Sequence, residues 1–255
     1  MFKQIRTIAH YTLLEAMGNR LIWLFATVLV AGIGFTGFLD ELALTEKREI
    51  QLALLAALLR FSGIFLLATF VVTSMVREFN DKGLQLLLAL PVTRAGYLFG
   101  KMAGFAALAA VPALLFGLLT ALLAEPGPSL IWTVSLMLEC WIIAAFSMLC
   151  VLTFNQVMPA LSAVMGFYVL SRSIGTLQLI GSQPLAEHSV SQRIISVMID
   201  CLSAVLPHLD QFTRSDWLVY PGAGWPLLAS LAGQSAIYLA LLSGAALFDL
   251  YRKNL

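Results

Sequence analysis

The sequence predicts an all-α integral membrane protein, one transmembrane domain over residues 1–255, and three observations lead there. Hydrophobic residues make up 60% of the chain and charged residues only 11%, with a mean hydropathy of +0.90, whereas a soluble domain is nearer half apolar and a quarter charged. Segments of about 20 apolar residues recur from Leu21 to Phe248, each long enough to cross a hydrocarbon core about 30 Å thick. Lys and Arg collect in the short stretches between them, unequally on the two sides. The bilayer is the solvent such a chain requires.

Residues 1–20 place Phe2, Ile5, Ile8, Ala9, Leu13 and Ala16 at helical spacing with Lys3, Arg6 and His10 opposite, which predicts an amphipathic helix lying in the interface. The first apolar run starts at Leu21 and continues for 19 residues, too late and too long for a cleaved signal peptide, so it is expected to be retained. The spans read 21–39, 51–76, 102–124, 130–154, 157–179 and 226–248. In the fifth, Pro159 sits near the start, where proline is tolerated, and Arg172 comes late, so the span either runs to 179 or stops near Leu170. Residues 40–50 read as an acidic outer loop, and Glu125–Ser129 as a tight turn punctuated by Pro and Gly.

With the N-terminus inside, the inner segments hold Lys3, Arg6, Arg20, Arg77, Lys82, Arg94, Lys101, Arg252 and Lys253, nine in all. The outer ones hold five: Lys47, Arg48, Arg172, Arg193 and Arg214. The excess predicts cytoplasmic termini.

The long stretch at 180–225 then faces outward. Within it Ile194, Ile195, Met198, Ile199, Leu202, Val205 and Leu206 form an apolar stripe ended by Pro207, too short to span and read as an interfacial or re-entrant helix. In span six Ala232, Ala236, Ala240 and Gly244 recur every four residues, a stripe that lets another helix approach closely, either for packing within the chain or for a subunit interface.

The inner loop between spans two and three, VREFNDKGLQLLLALPVTRAGYLFGK over 76–101, holds more organisation than a connector needs. Arg77, Glu78, Asp81 and Lys82 lead to Gly83; an apolar helix carrying Leu84, Leu87 and Leu88 follows; Pro91 stops it, and Thr93 before Arg94 is placed to cap the next helix. An apolar helix outside the bilayer must cover itself, on the lipid surface, on its own chain, or in the groove of a cytoplasmic partner.

This segment resembles the pattern E-x-x-x-(K/R)-G-T-x-x-x-L-L-x-x-P-(V/I)-(S/T)-R of permease subunits in the type-2 exporter class of ATP-binding-cassette transporters. Glu78, Lys82, Gly83, Leu87, Leu88, Pro91, Val92, Thr93 and Arg94 fall on it, with Leu84 in place of the usual threonine. The resemblance extends to the layout: an elbow helix, six spans, a coupling helix in the first inner loop, and an amphipathic hairpin before span six. It implies a homodimer of permeases in a bacterial cytoplasmic membrane, in contact with membrane lipid and with two copies of a cytoplasmic ATP-binding subunit. The coupling helix would dock on that subunit, and a periplasmic accessory protein is compatible with the scheme. ATP and Mg would be held by the partner.

The chain brings no cofactor of its own to this scheme. Its nearest approach to a phosphate loop, Gly96-x-x-x-Gly100-Lys101-Met102, has one residue too few between the glycines and lacks Ser or Thr after the lysine. A net charge of +1, with no basic run interleaved with aromatics, gives no nucleic-acid signal. Cys140, Cys150 and Cys201 show neither disulfide nor metal-ligand spacing and read as packing residues. His188, His208, Asp210 and Asp216 are too scattered for a metal site and read as solvated loop residues.

Arg60 and Glu139 lie inside spans two and four, where a lone charge costs at least ~2.5–3.5 kcal/mol. Their equal depth permits an ion pair, and Arg172 competes for Glu139 if span five continues that far. Such a pair serves either as an interhelical staple or as a polar point on a substrate path. A stand-alone secondary transporter or channel, the main alternative to the permease, usually shows an internal repeat and interrupted spans, and only Pro112 hints at an interruption. A membrane-embedded enzyme needs a catalytic cluster that the spans do not supply; an assembly factor is the remaining reading.

Overall fold

The computed structural model describes residues 2–42, 47–81, 93–182, 190–219 and 224–252, with the side chains of residue 2, 38–48 and 180–195 outside the description. Among the described residues every regular element is helical: α1 (Phe2–Gly18), α2 (Leu21–Leu42), α3 (Lys47–Asn80), α4 (Arg94–Leu123), α5 (Pro126–Phe154), α6 (Val157–Ser182), α7 (Val190–Val205) and α8 (Trp225–Arg252). Two short 3-10 helices, Leu209–Gln211 and Ser215–Leu218, lie between α7 and α8. Five of these, α3, α4, α5, α6 and α8, are long and apolar enough to cross a membrane, and α1 with α2 passes the same test as a pair bent by 56°. A helix satisfies its own backbone, which is what a lipid-embedded chain demands.

The helices outrun the apolar runs that predict them. α3 has 34 residues and α4 has 30, about 51 and 45 Å of helix against a core of about 30 Å. α4 begins eight residues before the predicted span, capped by Thr93, whose hydroxyl oxygen accepts from the Gly96 N–H at 3.1 Å. The acidic loop expected at 40–50 contracts, because α2 reaches Leu42 and α3 begins at Lys47. The turn expected at Glu125–Ser129 is likewise absorbed: Ala124 ends α4, and Pro126 opens α5 in a position where the missing N–H costs nothing. The motif residues 82–92, with Lys82, Gly83, Leu84, Leu87, Leu88 and Pro91, lie outside the described residues, as does His188.

α5 is the hub, touching α3, α4, α6 and α8 and burying Trp132, Leu136, Ile142, Ile143 and Met148. Cys140 and Cys150 pack there too, whereas Cys201 stands exposed on α7, contrary to a packing role. Where lipid is as apolar as the side chains, close approach of backbones carries the association. A Cβ on Gly117 of α4 would lie 2.1 Å from the Thr133 hydroxyl of α5. On the other flank of α4, Gly96, Gly100 and Gly104 form the groove that seats α1, with Ile8 against Gly100 and Thr12 against Gly104. The glycines that nearly form a phosphate loop thus serve helix packing.

Of the stripe on α8, Ala232 is half-buried against the core and Ala236, Ala240 and Gly244 are exposed, while α8 buries Leu231, Ser235, Ala246 and Leu250 and has α5 as its main neighbour. The stretch after α7, expected as part of an external loop, packs partly into the bundle. Leu206, Leu209, Phe212, Thr213, Trp217 and Leu218 are all buried.

A Cβ on Gly104 would meet Thr12 Cβ at 2.6 Å and the Ala9 carbonyl oxygen at 3.1 Å, and backbone does not yield cheaply. Gly104→Ala is expected to cost about 1–3 kcal/mol, read as a lower thermal midpoint in detergent. Gly34→Ala, with nothing within 4 Å, should match or exceed the wild type. Equal midpoints for both variants would remove the α1–α4 groove as a stability element.

Candidate functional site

The buried segment at 209–213 is held by the charges that lie inside the apolar helices. Arg60 stands thirteen residues into α3 and Glu139 thirteen residues into α5, at matched depth from the same end of the bundle; Arg172 approaches from α6. Glu139 has no exposed surface. Its Oε1 pairs with Arg172 Nη1 at 3.5 Å, and its Oε2 accepts the hydroxyl proton of Thr213. The ion pair of Glu139 is therefore with Arg172 and not with Arg60.

Arg60 instead donates from Nη1 to the Thr213 carbonyl at 2.7 Å, with buried Tyr168 beside it. Arg172 Nη1 also donates to the Leu209 carbonyl and, at 2.7 Å, to that of Phe212. Ser135, one helical turn before Glu139, accepts the Thr213 N–H at 3.0 Å. Every polar group of Thr213 is thus engaged, and its φ of 42° puts a β-branched residue in the left-handed region. Such a conformation costs about 1–3 kcal/mol and persists only where its surroundings over-determine it.

The arrangement commits two arginines to the backbone carbonyls of segment 209–213 and one carboxylate to the hydroxyl of its Thr213. That chemistry is fixation. It offers no nucleophile with a general base, and among the described residues no group of three or more His, Cys, Asp or Glu side chains is placed to hold a metal. His208 and Asp210, expected in solvent, are half-buried: Asp210 Oδ1 is enclosed without a hydrogen bond, and a Cβ on Gly175 of α6 would lie 2.4 Å from Oδ2. The physical reason is that Leu209 and Phe212 insert into the core and carry Asp210 with them. Asp216 does lie exposed, paired with Arg214 at 3.1 Å.

A second cluster sits at the opposite end, at the root of segment 81–93, and sequence reasoning missed it. Lys101 on α4 is buried, pairs with Glu78 of α3 at 2.6 Å and lies 3.8 Å from Glu15 of α1. Ser74 donates to Glu15 at 2.7 Å. The signal was available: Lys101 adjoins the start of an apolar run, with one acid on each neighbouring helix. Arg94, expected in the partner interface, turns back instead and donates to the Leu250 and Tyr251 carbonyls at 2.9 and 3.3 Å, satisfying the end of α8. Arg77 and Asp81 are exposed.

No protein-family model matches the chain, and no curated protein matches it.

Removing Glu139 strands Arg172 in the core, so Glu139→Leu is expected to cost about 3–5 kcal/mol. Thermal unfolding of the Glu139→Leu, Arg172→Met and Arg60→Met variants and the paired doubles should give a coupling of about 0.5–3 kcal/mol for Glu139 with Arg172. A larger coupling of Glu139 with Arg60 would reverse the assignment of the pair.

Proposed function

We propose that this chain is the membrane-spanning permease subunit of an ATP-driven ATP-binding-cassette transporter of the type-2 exporter class. It acts as a homodimer that forms the substrate path, moves substrate outward, and takes its energy from two copies of a separate ATP-binding subunit. The observation that carries this reading is the segment from Glu78 to Arg94, whose acid, Lys-Gly, paired leucines and Pro-Val-Thr-Arg follow the coupling-loop pattern of that class.

The geometry around the segment supports the same reading. α3 and α4 are each longer than a bilayer core requires, which leaves length for the end they share, at Asp81 and Thr93, to reach past the hydrocarbon toward a partner. The Lys101–Glu78 pair ties the two stems of that loop together, and Glu15 joins α1 to them. A push on the loop would therefore reach α1, α3 and α4 as one body. The 56° bend of α1 from α2 supports reading α1 as the elbow helix of the class. At the far end, the clamp on 209–213 would hold the outer side of the path closed until the helices move.

The reading is tested by purifying the detergent-solubilised chain from its own host, alone and as Leu87→Asp/Leu88→Asp. An ATPase subunit should accompany the wild type and be lost from the variant while the variant keeps its elution volume and helicity. Absence of an ATPase from the wild type would sink the proposal.

A further inference from the structure

α1 carries a second feature that the coupling reading does not use. Beside it opens a groove of about 590 Å³ whose lining includes Lys3, Arg6, Thr7, His10, Leu13 and Ala107 of α4. The basic residues stand at i, i+3 and i+7, one flank of the helix, and all three are exposed. The lining holds no carboxylate, and among the described residues neither Lys3 nor Arg6 has an ion-pair partner. The Thr7 hydroxyl is already spent on the Lys3 carbonyl at 2.9 Å.

The rest of the surroundings is hydrocarbon in character. Because Ile8 seats on Gly100 and Thr12 on Gly104, α1 and α4 advance in step, so Lys3 and Arg6 lie toward the end of α4 that carries its charged residues, Arg94 and Lys101. Past the groove α4 has no charge. Its exposed face continues from Ala107 through Leu114, Leu118 and Leu122, which are 65%, 64% and 74% exposed. That stripe is about 22 Å long at the helical rise, near the reach of an acyl chain. Cations at one end and an apolar track of this length at the other describe an amphiphile with an anionic head.

We propose that the α1–α4 groove binds an anionic phospholipid of the leaflet that α1 faces, the phosphate held by Lys3, Arg6 and His10 and one acyl chain lying along Ala107, Leu114 and Leu118. The charge complementarity selects the anionic lipid over a zwitterionic one, and the apolar track selects a lipid over a free phosphate. The site needs only that α4 crosses the bilayer, so it stands or falls independently of the ATPase partner.

Native mass spectrometry of the full chain in a non-ionic detergent, with equimolar palmitoyl-oleoyl phosphatidylglycerol and phosphatidylcholine added, reads the site directly. The wild type should retain phosphatidylglycerol preferentially; Lys3→Gln/Arg6→Gln should weaken that retention by about 30-fold, and Lys3→Arg/Arg6→Lys should preserve it. In the wild type alone, raising salt should release phosphatidylglycerol selectively, a readout that survives any misfolding of the Gln variant. Equal retention of the two lipids, undiminished retention by a folded Gln variant, salt-insensitive binding, or displacement of the lipid by millimolar inorganic phosphate would each overturn the proposal.

Discussion

A carboxylate with no exposed surface, Glu139, sits in the helix that touches most of the others, and much of the bundle follows from the need to satisfy it. In an apolar interior a bare carboxylate is costly enough that a counter-charge and hydrogen-bond donors have to be brought to it. Arg172 supplies the charge and Thr213 a hydroxyl donor. Bringing Thr213 there means drawing segment 209–213 between the helices, and that in turn exposes backbone carbonyls to a low-dielectric core. Arg60 and Arg172 meet those carbonyls. The set closes on itself: removing one member leaves another unsatisfied, and cooperativity of this kind makes buried polar networks stabilising when complete and costly when broken.

The two ends of the bundle are organised by the same physics to different effect. At the 209–213 end, charges fix a short connecting segment against three helices. At the end that carries 81–93, Lys101 bridges acids from α1 and α3, and Arg94 closes the carbonyl terminus of α8. At each end the charges are joined by close small-residue contacts, the Gly96–Gly100–Gly104 groove beside Lys101 and the Gly117–Thr133 crossing near Ser135. A body stapled by charge and by close packing at both ends is suited to moving as a unit. The coupling proposed for the chain needs that property.

The face left outside these contacts is also informative. α8 turns Ala236, Ala240 and Gly244 outward, α4 turns out Leu114, Leu118 and Leu122, and α2 turns out Trp23 and Val30. Such residues would be a liability in water and are ordinary in contact with acyl chains.

Composition and hydropathy alone determined that the chain is helical and built on bilayer-length segments, because a run of 20 apolar residues has few other solutions. Local chemistry was equally legible: Thr93 before a helix and Pro207 after α7, although Pro126, read as part of a turn, opens a helix. The partner of Glu139 was not. Periodicity gave Arg60 and Glu139 the same depth but carried no information about which helix faces share an interface, so Arg172 stood only as a competing partner, conditional on how far its span runs. His208 and Asp210 read as solvent-exposed because they are polar, whereas Leu209 and Phe212 beside them pull the segment into the core. Depth along a helix is a local quantity that one-dimensional patterns encode; rotation about its axis and the choice of neighbour depend on long-range packing, and those only the tertiary structure decided.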